Sequence, residues 1–138
     1  MIGIIKADVN KDVDKSIGDF SSPEVMRKNG WKIDAVFQYD PRYLRICGNE
    51  TWYGYNFNHA VGSVKIAFLG NGKATLNFGN CFTNGFVIVY LNDQEISRAN
   101  RNVRSKEVKF NFSKRDVLTI KELNIAIIKL NSLKIVNE

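Results

Sequence analysis

The chain has 138 residues, 44% of them hydrophobic and 25% charged, with a net charge of +6. That length suits one domain with its own hydrophobic core, and the balance excludes wholesale disorder. The charge falls short of a dedicated nucleic-acid binder, no apolar run approaches a membrane span, and the start, Met1-Ile2-Gly3-Ile4-Ile5-Lys6-Ala7-Asp8, lacks a signal-peptide layout.

In chain order, Asp8 to Asp19 comes first. Asp8, Asn10, Asp12, Asp14 and Ser16 fall at the odd places of a calcium-loop spacing. Val13 stands where the sharp turn needs glycine, and Asp19 where a bidentate Glu belongs, so an EF-hand is excluded. A looser structural calcium site on Asp8, Asn10, Asp12 and Asp14 is one reading; a solvated acidic loop is the other. No further cofactor is implied.

Ser22-Pro23-Glu24-Val25-Met26-Arg27-Lys28-Asn29-Gly30 carries the one good helix signature: a capping serine, proline at the first helical position, and an Asn-Gly exit. Trp31 to Tyr39, Tyr43 to Cys47 and Thr51 to Phe57 then read as strands, broken by Asp40-Pro41 and Gly48-Asn49. Gly62 to Leu69 and Lys73 to Gly79 alternate across Gly70-Asn71-Gly72, which predicts a hairpin. Phe86 to Leu91 is a strand ended by Asn92-Asp93, and Glu95 to Ser97 resumes. Val108, Phe110 and Phe112 alternate with Lys109 and Asn111. Val117 to Ile120, Ile125 to Leu130 and Leu133 to Val136 complete the set. Short strands with turn residues between them predict an all-β, two-sheet antiparallel sandwich, one domain over 1–138 with one short N-terminal helix.

Three constellations could carry function. Trp52-Tyr53-Gly54-Tyr55-Asn56-Phe57-Asn58-His59 mixes flat rings with amides. Rings stack on sugar faces and amides donate and accept to hydroxyls, so Trp52, Tyr53, Tyr55, Asn56, Asn58 and His59 form the candidate ligand site. The competing reading puts Tyr53, Tyr55 and Phe57 in the core. Second, Arg98, Arg101, Arg104, Lys106 and Lys109 face one acid, Glu107, across Ser97 to Lys114. Such a patch suits an anionic polymer, or simply guards a strand edge. Third, Cys47 and Cys81 are compatible with one disulfide or with two thiols; their spacing argues against zinc. His59, the one histidine, has no serine or cysteine beside it in a nucleophile setting, and no carboxylate pair stands in an apolar setting that would raise one pKa. The chain is expected not to be an enzyme.

Gly70 to Cys81, Gly85 to Asn92, Lys106 to Phe112, Asp116 to Ile120 and Ile127 to Ile135, with the Asn29-Gly30-Trp31 step, resemble galactose-binding-like jelly-roll domains, the sandwich of many carbohydrate-binding modules. They also resemble a jelly-roll family of unassigned role. The resemblance implies a non-catalytic, lectin-like or adhesive module for carbohydrate or glycoprotein, with anionic polysaccharide as a further ligand class and no specific nucleic acid. The alternative is a structural or protein-interaction module, oligomeric, in an extracellular or viral-type assembly. An excised extracellular domain and a cytosolic protein starting at Met1 both fit.

Overall fold

Alternation of apolar and polar side chains sorts ten strands into two layers, all paired antiparallel, in a computed structural model that describes residues 13–138 other than 35, 39–43, 48–61, 81–84, 101–102 and 124–125. Sheet A runs β1 (Lys32–Asp34), β4 (Ser63–Ala67), β9 (Val117–Leu123), β6 (Phe86–Leu91), β7 (Gln94–Ala99). Sheet B runs β2 (Val36–Gln38), β3 (Leu44–Cys47), β10 (Ile127–Asn137), β5 (Gly72–Asn80), β8 (Lys106–Phe112). This is a two-sheet antiparallel jelly-roll sandwich, as the sequence predicts. The strand expected over Thr51 to Phe57 lies outside the described residues.

The core fills the space between the layers. Val64, Ile66, Leu118, Ile120, Val87 and Val89 come from sheet A; Ala74, Leu76, Phe78, Leu130, Leu133 and Ile135 come from sheet B. Each large apolar side chain removed from water contributes about 1.5–3 kcal/mol as an upper figure, enough in sum to offset the ordering of short strands. Phe112 stacks on Phe68, ring centroids 3.8 Å apart, and Phe110 meets the same ring edge-on.

The Gly70-Asn71-Gly72 hairpin does not form. β4 pairs with β1 and β9, while β5 pairs with β10 and β8, so the segment carries the chain from one sheet to the other. Local bonds account for the crossing. Phe68 donates its N–H to the Asp116 carbonyl, and the Leu69 and Gly70 N–H groups donate to the Asp14 carboxylate at 2.7 and 3.0 Å. Those donors are engaged before β5 begins, so they are not available to a hairpin closed over Gly70-Asn71-Gly72. A true hairpin joins β6 to β7 through Asn92 and Asp93, both at positive φ (51° and 65°), as a two-residue primed turn requires. The two C-terminal strands expected at Ile125 to Leu130 and Leu133 to Val136 are one strand, β10, with its register shifted at Asn131.

The predicted helix forms as α1 (Pro23–Lys28): Ser22 Oγ accepts from the Val25 N–H at 3.1 Å, and Gly30 leaves at φ +104°. A 3-10 turn (Lys15–Gly18) precedes it and packs on β10. Trp31, 3% exposed, joins the two by donating its indole N–H to the Ile17 carbonyl at 2.8 Å and meeting Phe20 edge-on.

Candidate functional site

Period-two alternation gives each sheet an outer face as well as a core face. On sheet B, cross-strand register fixes what stands beside what. Thr75 on β5 lies opposite Lys109 on β8 and Lys134 on β10; Lys73 lies opposite Asn111 and Val136. Lys73, Thr75, Lys109, Asn111, Lys134 and Val136 line a depression of about 510 Å³ on this face. Val136 is 65% exposed there. Glu138 and Glu107 stand at the rim, 3.9 Å from Lys73 and 3.8 Å from Lys109. Beside it, Asn77 Oδ1 accepts from Ser105 Oγ and Asn131 Nδ2 at 2.9 and 2.8 Å, which fixes that amide. The face is bounded where residues 103–105 cross the end of β5: Asn80 donates its N–H to the Val103 carbonyl, and a Cβ on Gly79 would fall 2.1 Å from the Arg104 carbonyl oxygen. Only glycine fits there.

Sheet A's outer face is built differently. Phe86, Ile88 and Tyr90 point away from the core, alternating with the core residues Val87 and Val89. Ile88 is nevertheless only 2% exposed. Arg98 lies over the Phe86 ring (5.4 Å) and Lys121 over the Tyr90 ring (5.8 Å), so long cationic side chains roof the apolar row. Arg98 is itself held by Glu95, its Nε donating to Oε2 at 2.8 Å, and that hydrogen bond draws the Glu95 carboxyl below its ordinary range.

The predicted site residues scatter. Trp52, Tyr53, Tyr55, Asn56, Asn58 and His59 lie outside the described residues. Arg101 and Cys81 lie outside them too, as does the side chain of Cys47. The basic residues divide between sheets. Lys106 Nζ donates to the Arg98 carbonyl at 2.8 Å, so these two meet at the β7–β8 edge, whereas Lys109 looks out from sheet B toward Lys73 and Lys134. Arg104 is exposed on the crossing segment.

Of the candidate calcium ligands, Asp8, Asn10 and Asp12 lie outside the described residues. Asp14 is buried, and its carboxylate accepts from the Leu69 and Gly70 N–H groups and from Asn137 Nδ2. It ties the N-terminal segment to the sheet crossing and to the end of β10. Among the described residues, no three His, Cys, Asp or Glu side chains gather as a metal site, and no helix is long and apolar enough to cross a membrane. A second carboxylate that sequence reasoning passed over, Glu122, is 2% exposed on the core side of β9, in step with Leu118 and Ile120. It sits beyond one end of β4, where its N–H donates to the Gly62 carbonyl, and Asp14 sits beyond the other.

No family model matches the sequence, and no curated protein matches it. Solved structures do. The chain is similar to the secreted serine protease VesC from Vibrio cholerae, with a TM-score of 0.58 at 9% identity over 76% of this chain, and it spans only 24% of that protein's length. It is similar to the family 35 carbohydrate-binding module from Paenibacillus barcinonensis, with a TM-score of 0.49, 12% identity, and coverage of 79% of this chain and 94% of that one. The family 29 carbohydrate-binding module from Piromyces equi gives a TM-score of 0.46 at 11% identity, covering 78% and 81%. At 9% identity the likeness to VesC is one of fold alone.

Proposed function

We propose that this chain is a non-catalytic module that binds carbohydrate. The observation that carries the reading is the outer face of sheet B, where hydroxyl, amide, ammonium and exposed aliphatic groups line one depression on a rigid layer. Sugars present hydroxyls at the edge and C–H groups on the ring face, so that mixture meets both, and strands hold it with little ordering cost. The two carboxylates buried among the described residues, Asp14 and Glu122, stand at opposite ends of β4. The rings and amides of Trp52, Tyr53, Tyr55, Asn56, Asn58 and His59 suit the same ligand class and are proposed as a second contact region.

A glycan array with the purified chain tests the reading, paired with light scattering after size exclusion. The expected result is retention of one class of polysaccharide. Thr75→Val with Asn111→Ala should weaken that retention by about tenfold, the worth of one to two hydrogen bonds, and leave the melting temperature within about 2 °C. No retention of any glycan, together with a discrete oligomer, would replace this reading with an assembly role. Trp52→Ala should weaken binding at nearly unchanged melting temperature; a large fall in melting temperature removes Trp52 from the site and assigns it to the core.

A further inference from the structure

We infer that the depression on sheet B selects acidic polysaccharide, taking a carboxylate or sulfate group of the chain between Lys73, Lys109 and Lys134. This rests on the carbohydrate reading and specifies its ligand class. Lys109 and Lys134 flank Thr75 on neighbouring strands, so their Cα atoms stand roughly 10 Å apart, two strand spacings, with Lys73 one step along on β5. The three are drawn from three strands, and each has a flexible stem that lets its ammonium swing over the space between them.

Like charges this close repel, and an anion placed among them relieves the repulsion. The counter-charges present are weakly held. Glu138 and Glu107 approach Lys73 and Lys109 only at 3.9 and 3.8 Å, in pairs whose four side chains are all more than half exposed. Such pairs are loose, and an incoming anion displaces them. Lys134 makes no ion pair among the described residues.

The neutral lining narrows the class. Thr75 and Asn111 offer a hydroxyl and an amide between the ammoniums, and Val136 offers an exposed apolar surface. A pyranose carrying an acid group needs that set: donors for the acid, paired donor and acceptor for hydroxyls, and a dry contact for the ring face. A single-stranded nucleic acid would want an exposed ring to stack on. Phe110, the aromatic residue of the lining, is turned toward Phe68 at 6.2 Å.

Affinity electrophoresis against heparin, polygalacturonate and neutral galactan tests the inference, with wild type and three variants. Lys73→Gln, Lys109→Gln and Lys134→Gln together remove the charge; Lys→Arg at the same positions retains it; Lys28→Gln, Lys32→Gln and Lys65→Gln remove equal charge elsewhere. The expected result is retention by heparin or polygalacturonate that weakens with added salt. Retention should fall about tenfold or more in the first variant and persist in the other two. All three variants should melt as wild type does, since every substituted side chain is exposed. Wild-type retention by galactan but by neither acidic polymer overturns the inference and leaves the carbohydrate reading standing. Equal loss in the first and third variants overturns it as well, as a net-charge effect. Double-stranded DNA or phosphatidylserine vesicles bound as tightly as heparin, through the same three lysines, would also overturn the assignment to sugar. Retention of no polysaccharide, acidic or neutral, removes the carbohydrate reading itself.

Discussion

The outer faces of the two sheets use their cations in opposite ways. On sheet A, Arg98 and Lys121 fold down over Phe86 and Tyr90 and seal Ile88 from water. On sheet B, Lys73, Lys109 and Lys134 stand around small polar residues and leave Val136 exposed between them. The difference lies in what each lysine or arginine finds beside it. An aromatic ring across the strand offers a negative face and an apolar bed for the stem; a threonine or asparagine offers neither, and the ammonium stays in water. Aromatic residues thus convert a strand face into part of the scaffold.

That contrast can be broken by measurement. The largest expected effect is Ile88→Ala, which should cost about 2–4 kcal/mol in chemical denaturation, while Thr75→Ala on the facing sheet should stay within about 0.5 kcal/mol. Equal, small losses at both positions would mean that sheet A's outer row is not sealed. Next, Arg98→Ala and Lys121→Ala should each lower the denaturation midpoint less than Ile88→Ala does and leave glycan retention untouched; a loss of binding instead would move the site to sheet A. The smallest effect concerns Glu95. Hydrogen bonding from Arg98 lowers its carboxyl pKa in the folded state, so its contribution is present above the unfolded carboxylate value, about 4.3, and fades as pH falls through the lowered folded value. The difference between wild type and Glu95→Gln should therefore be constant near neutrality and vanish in acid. A difference that grows on acidification contradicts the pair.

Local chemistry was legible in the sequence, and neighbourhood was not. Ser22, Pro23 and Gly30 announce α1, Asn92-Asp93 announces the β6–β7 turn, and Val108, Phe110 and Phe112 announce a half-buried strand, because capping, turn dihedrals and period-two burial act within a few residues. Carrying the Leu118–Ile120 alternation one step further places Glu122 on the core side as well. By contrast, Gly70-Asn71-Gly72 looks like a hairpin and is a sheet crossing, since what decides it is Asp14, more than fifty residues away. The lysine cluster was hidden for the same reason. Lys73, Lys109 and Lys134 are unremarkable on their own strands, and only the order β8–β5–β10 brings them together. Alternation tells a residue's face; it does not tell its neighbour.

The strand order has a bearing on assembly. β10 follows every other strand in the chain, yet it occupies the middle of sheet B, bonded to β3 on one side and β5 on the other. Without β10 the β2–β3 and β8–β5 pairs would each present an open strand edge, at β3 and at β5, and β10 closes both. Most of the closing contacts join distant parts of the chain, which slows folding.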